Sequence, residues 1–267
     1  MSATQIEGTP AAGVGSDLTL VLPGRGLPAG DGWAWIASGW TLFTRAPLMW
    51  IVAILIVFVA AIVVGLVPFL GSIAFQVLNP VIAAGFVVAC RSLERGGEFE
   101  LEHLFAGFKI HFGKLVVVGL LLLAGYIVIF LAFAAIAGFS ILGLIFSGHS
   151  HDAVQGIFAS VMTILLGTLV ALALMVPLLA AYWYAPALVV MHGMAPVEAM
   201  KASFSACLRN FVPFLVYGIV MMVFAILAVI PFGLGFLVWM PLAIASTYTS
   251  YRAIFTDEAA PGQAVAA

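Results

Sequence analysis

The sequence predicts an all-α membrane protein: six transmembrane helices in three repeated helical hairpins, each hairpin preceded by a cytosolic interfacial amphipathic helix. Three observations predict it. First, the chain is 65% hydrophobic and only 7% charged, where soluble domains carry roughly 25% charged residues. A soluble fold could not cover that much apolar surface with polar groups. Second, stretches such as "WIVAILIVFVAAIVVGL" are apolar at every position. Helices of about 20 such residues cross a hydrocarbon core of about 30 Å, whereas the strands of an outer-membrane barrel alternate apolar and polar. Third, all nine Lys and Arg residues fall on one side of the expected spans.

In chain order, residues 1–30 are rich in Gly, Pro, Ala and Ser, without the basic start and apolar run of a signal peptide. They are expected to form a disordered cytosolic tail. The membrane domain is expected over 31–256, with spans at about 48–70, 72–90, 115–137, 157–181, 211–230 and 235–251. A second disordered tail is expected over 257–267. The apolar run from Leu115 to Phe146 is 32 residues, about 48 Å as a helix. It is too long for one untilted span, so the third helix either projects beyond the membrane or breaks near Gly138 or Gly143. A projecting helix that loosens at those glycines is expected.

Orientation follows from the cations. Arg25 and Arg45 precede span one, Arg91, Arg95, Lys109 and Lys114 separate spans two and three, Lys201 and Arg209 separate four and five, and Arg252 ends span six. The opposite turns, "PFLGS", "SGHSHDAVQ" and "PFGLG", hold none. The positive-inside rule places the basic side, with both termini, in the cytoplasm. Ten of the eleven acids lie on that side too, so the net charge of −2 carries no information about topology.

The repeat rests on three matching segments: "GWTLFTRAPLMWI", "LFAGFKIHFGKLVVV" and "ASFSACLRNFVPFLV". In each, a small residue and an aromatic (Gly39-Trp40, Gly107-Phe108, Ser203-Phe204) precede a basic residue (Arg45, Lys114, Arg209). The returning spans match through Pro80, Pro177 and Pro241, followed eleven residues later by Arg91, Leu188 and Arg252. The turns "VPFLGS" and "IPFGLG" match between copies one and three. The pre-span segments are amphipathic. Their apolar faces read as Trp33, Ile36, Trp40 and Phe43; Leu101, Leu104, Phe105, Phe108 and Phe112; and Val197, Met200, Phe204, Leu208 and Phe211. Such helices either lie in the membrane plane, with tryptophans and cations at headgroup level, or pack on the cytosolic face of the bundle. The two are compatible.

Chemistry-bearing residues are sparse. The centre of every expected span lacks Asp, Glu, Lys, Arg and His, which argues against a proton-coupled pump or voltage sensor and against an intramembrane hydrolase. Gln76 and Asn79, beside Pro80, either bond between helices or line a polar path for a solute. Hydroxyls of "STYTSY" (Ser246–Tyr251) bond back to their own helix, and Tyr182, Trp183 and Tyr184 suit an aromatic belt. Cys90 and Cys207 read as small apolar fillers. His149, His151 and Asp152 in "GHSHD" are weak metal candidates, because no other outer loop supplies a further ligand. His103, His111 and His192 show no ligand spacing. "CRSLERGGEFELEHLFAGF" is the densest polar stretch and reads as a turn at "RGGE" or a docking surface.

On "GWTLFTRAPLMW", "LVPFLGS" and "CRSLERGGEFELEHLFAGF", the chain resembles an uncharacterised family of six-span bacterial inner-membrane proteins over roughly Gly32 to Phe255. More distantly it resembles the membrane domain fused to glycerophosphodiester phosphodiesterases. The catalytic domain of those enzymes has no counterpart here, so the resemblance implies location and architecture only. Together these readings predict a non-enzymatic bacterial inner-membrane protein without catalytic residue or cofactor, acting as a scaffold or assembly factor of the envelope. The alternative is passage of a lipid or weakly polar solute. The partners expected are membrane lipids, together with other envelope proteins or further copies of the chain, and no nucleic acid.

Overall fold

The structure, a computed structural model, describes residues 18–147 and 153–257. Its regular elements are helices: α1 (Asp31–Arg45), α2 (Pro47–Gly65), α3 (Leu70–Glu94), a 3-10 turn (Leu101–Phe105), α4 (Ala106–Lys109), α5 (Phe112–Ser147), α6 (Ala153–Trp183), α7 (Ala185–His192), α8 (Pro196–Arg209), α9 (Phe211–Val229) and α10 (Phe236–Phe255). Five stretches are long and apolar enough to cross a membrane: Pro47–Gly65, Leu70–Glu94, Phe112–Gly143, Gln155–His192 and Phe211–Val229. The sixth expected span, 235–251, is present as α10 but is not among these five. Its second half, "STYTSYR", replaces apolar residues by hydroxyls and an arginine.

Helix ends follow local chemistry. Pro47 sits in the first turn of α2, where a missing N–H costs nothing. α2 stops at Gly65, short of the expected Leu70, because Pro68 offers no amide hydrogen and Phe69 takes φ 59°. The matching turn of the third hairpin places Phe232, also after a proline, at φ 55°. Both phenylalanines are highly exposed. The 36-residue α5 runs through Gly138 and Gly143 without a break, so the glycines do not interrupt it. Pro186 near the start of α7 closes α6 at Trp183.

The chain divides into two compact units, Met1–Gly119 with Ala181–Ala267, and Leu120–Ala180. The second unit is an antiparallel helical pair. Ser140 and Ser160 exchange hydroxyl-to-carbonyl bonds of 3.2 Å, Gly125 abuts Leu178, and Gly167 abuts Ile136. The paired residue numbers sum to nearly the same value, as an antiparallel register requires.

In the first unit each pre-span element packs on a returning helix. α1 lies on α10, the 3-10 turn and α4 lie on α3, and α8 lies on α7. The small residues singled out above mark the contacts. A Cβ on Gly39 would lie 2.7 Å from the Ser246 amide nitrogen, and one on Gly107 would overlap the Val81 carbonyl. Ser203 accepts a 2.9 Å bond from the Tyr184 N–H. The neighbouring aromatics Trp40 and Phe108 stay largely exposed, as do Phe105, Phe112, Leu208 and Phe211. The expected face of α1 needs a correction. Ile36 and Phe43 are buried, but Trp33 and Trp40 are not; the covered stripe is Gly32, Trp35, Ile36, Gly39, Leu42 and Phe43. Close backbone approach at Gly32 and Gly39 draws that stripe inward, with the Trp35 indole in it, and the Trp33 and Trp40 indoles turn out. The second segment is also not one helix. It breaks after Lys109, and His111 at φ 54° turns the chain into α5.

The carbonyl ends of the returning helices are capped in turn. Arg45 donates to the Leu93 carbonyl at the end of α3, and Lys114 Nζ donates to Gly193 at the end of α7 (2.5 Å). Cations suit these negative helix ends. At the end of α10 backbone amides replace the cation: Val21 N donates to Phe255 O and Arg25 N to Ile254 O, both at 2.8 Å. Buried Asn210 anchors this strap, accepting from Leu27 N (2.8 Å) and donating to Arg25 O (2.9 Å). Residues 18–30, expected as part of a disordered tail, are therefore tied to α10 and to the α8–α9 junction.

Candidate functional site

The first unit contains an apolar cleft of about 500 Å³, within the range of small-ligand sites. α2 contributes Ile54, Val57 and Phe58; α3 contributes Phe75, Asn79, Ile82 and Phe86; the α6–α7 region contributes Tyr182, Trp183 and Pro186; and α10 contributes Trp239, Met240, Thr247 and Tyr248. The three proline-bearing returning helices thus share its wall. Polar groups are few. Asn79 Oδ1 accepts from the Tyr182 hydroxyl, and Thr247 Oγ1 donates to Ala243 O at 2.9 Å. Of the two expected polar-path residues, Asn79 lines the cleft and Gln76 does not. A second groove of about 560 Å³ lies on α1, α9 and α10, lined by Trp33, Trp40, Phe224 and Trp239. It offers almost no hydrogen-bonding group to orient a ligand.

Behind the cleft, toward the basic end of the helices, lies a buried charge cluster. Tyr248, itself a cleft residue, donates its hydroxyl to Glu94 Oε2 at 2.5 Å. Arg91 Nη1 reaches the same oxygen at 2.6 Å, and Arg252 Nε reaches Glu94 Oε1 at 3.0 Å. Arg91 and Arg252 are 3% and 1% exposed, and the Glu94 side chain is 8% exposed. Beside them His192 Nε2 pairs with the Tyr251 hydroxyl at 2.6 Å, and Tyr184 donates to Ser250 Oγ at 2.9 Å. Charges this buried persist where each is paired and hydrogen-bonded.

Sequence reasoning placed Arg91 after span two, Arg252 at the end of span six and Glu94 near a turn. It missed that the three meet, because Glu94 lies 158 residues from Arg252. A signal was present: Arg91 and Arg252 both stand eleven residues beyond a helix proline.

Among the described residues the remaining candidates lie apart from one another. Cys207 in α8 is half-buried, and loss of hydration pushes its thiol up to about 12, away from the thiolate needed for chemistry. Among the described residues no three His, Cys, Asp or Glu side chains could together hold a metal ion. His149, His151 and Asp152 lie outside the described residues.

Among known proteins, a probable inner membrane protein of Burkholderia thailandensis is 31% identical, over 86% of this chain and 92% of its own length. No family model matches, so the likeness to the phosphodiesterase-fused membrane domain stays a resemblance. No solved structure matches the chain. Its apolar helices and this near-full-length similarity lead to one conclusion: the chain belongs to the same family as that protein and is an integral, multi-pass inner-membrane protein.

Proposed function

We propose that this protein takes a lipid or weakly polar solute into the α2–α3–α7–α10 cleft and passes it across the membrane without chemical change. The observation that carries this reading is the cleft itself: an apolar wall built by all three returning helices, with Asn79 and Tyr182 presented together in it. Of the two roles expected from sequence, scaffold and passage, the cleft favours passage.

The reading includes a topology of six spans with both termini in the cytoplasm. Its support is the placement of all nine Lys and Arg residues on one side. α10 acts as the sixth span because its hydroxyl-rich half is buried among helices: Ser246, Tyr248, Thr249 and Ser250 are all covered. The threefold repeat is supported by the paired close approaches at Gly39, Gly107 and Ser203, by the matching φ values of Phe69 and Phe232, and by the caps on three returning helices. The interfacial role of the pre-span elements is supported by the aromatic residues they leave uncovered.

The test is lipid movement in proteoliposomes, followed by albumin extraction of acyl-chain-labelled lipids, anionic and uncharged, from the outer leaflet. The wild-type protein should accelerate exchange between leaflets, and Ala83→Phe, which fills the cleft wall, should return it toward the protein-free rate. A wild-type rate equal to that of empty vesicles, or a rate indifferent to the blocked cleft, would refute the proposal.

A further inference from the structure

We infer that the cleft ligand is an uncharged glycerolipid with an ester carbonyl on the Asn79 amide; this rests on the cleft being a lipid site. Two observations carry it.

The first is charge. Among the described residues no Asp, Glu, Lys, Arg or His lines the cleft. The nearby guanidinium groups of Arg91 and Arg252 lie behind Tyr248 and are turned onto Glu94. A phosphate headgroup entering this space would lose its hydration and meet no cation on the wall, which opposes binding of anionic lipids.

The second is an unused donor. The Tyr182 hydroxyl donates to Asn79 Oδ1, which assigns the amide nitrogen to the other side of the group. Asn79 Nδ2 meets no acceptor among the described residues. Within a bilayer there is no bulk water to satisfy it. An ester carbonyl in the cleft supplies the missing acceptor.

The apolar remainder, with Phe58 and Phe75 on its wall, takes hydrocarbon.

The experiment uses the full chain in phosphatidylcholine nanodiscs and reads tryptophan fluorescence, since Trp183 and Trp239 stand in the wall. The probes carry identical brominated acyl chains: diacylglycerol and phosphatidate. The Ala83→Phe protein supplies the background from the other tryptophans. Diacylglycerol should quench saturably and at the lowest mole fraction. Asn79→Leu should raise the mole fraction needed about five- to tenfold by losing one hydrogen bond. The phosphatidate arm tests the assignment without altering the protein. Preference for phosphatidate, or quenching indifferent to the Asn79 change, would overturn the ligand assignment and leave the cleft a lipid site. Absence of saturable quenching by any probe would overturn the lipid site itself.

Discussion

α2 and α10 belong to the same unit and are nearly equal in length, yet they are built on opposite rules. α2 is the most apolar candidate span, with mean hydropathy 3.1, and only 17% of it is buried. α10 is too polar to pass as a span by composition, yet it buries an arginine, two tyrosines, two serines and a threonine. The intermediate case, α3, fits the trend: it has the lowest mean hydropathy of the five candidates, 2.0, and the largest buried share, 44%. In water the apolar face turns inward. In lipid, hydrocarbon outside a helix is as good a solvent as hydrocarbon inside, so association relies on close packing and hydrogen bonds. The polar helix is therefore the central one, and the apolar helix faces the lipid.

The largest test of that contrast is Glu94→Gln. It keeps the shape of the side chain but strips the carboxylate from buried Arg91, Arg252 and Tyr248. Breaking a buried ion pair on one side costs about 3–5 kcal/mol. Denaturant titration in mild detergent should register a loss of that order. Val59→Ala on the exposed face of α2 should stay within about 0.5 kcal/mol. Equal effects from the two would erase the distinction between the helices.

A smaller effect comes from one substitution at two glycines. Gly39→Ala in α1 places a methyl against the backbone of α10 at Ser246 and should cost about 1–3 kcal/mol by overpacking. Gly218→Ala in α9 meets open space and should be neutral or stabilise by up to about 1 kcal/mol through helix propensity. Thermal unfolding of both variants in the same detergent decides the matter; matching signs would mean that α1 does not dock on α10 as described.

The lipid-facing half of this molecule was legible in its sequence, and the inner half was not. Uninterrupted apolar runs placed α2 and α9 because lipid exposure demands apolar residues at every position. The small–aromatic–basic pattern located the contacts at Gly39, Gly107 and Ser203, since close approach tolerates no large side chain there. The Glu94 cluster stayed hidden because a cation at a helix end looks the same in sequence whether it faces headgroups or a carboxylate from another helix. The strap over α10 was hidden for a different reason. Its Gly- and Pro-rich composition resembles a tail, and its order comes from carbonyls at Ile254 and Phe255 that lie more than two hundred residues away. For the cleft, Asn79 was readable as a polar residue in a span, but its partner Tyr182 and the shared wall were not.

The finest test concerns the rim where α4 turns into α5. His111 lies beside Gly193, whose carbonyl holds Lys114. Partial burial, reinforced by the charge of Lys114, holds the His111 imidazole below its ordinary value of 6.5. The folded state thus favours the neutral ring. The stabilisation is complete above about pH 6.5 and is lost as pH falls through the depressed folded value, because the unfolded chain binds the proton more readily. Wild-type protein should lose stability between pH 7.5 and pH 5.5 by more than His111→Asn does, asparagine being able to keep the positive φ without the titrating ring. Unlike the first two substitutions, this one touches neither the central helix nor the lipid face. Parallel pH slopes for the two proteins would place His111 in solvent and detach the α4–α5 turn from the end of α7.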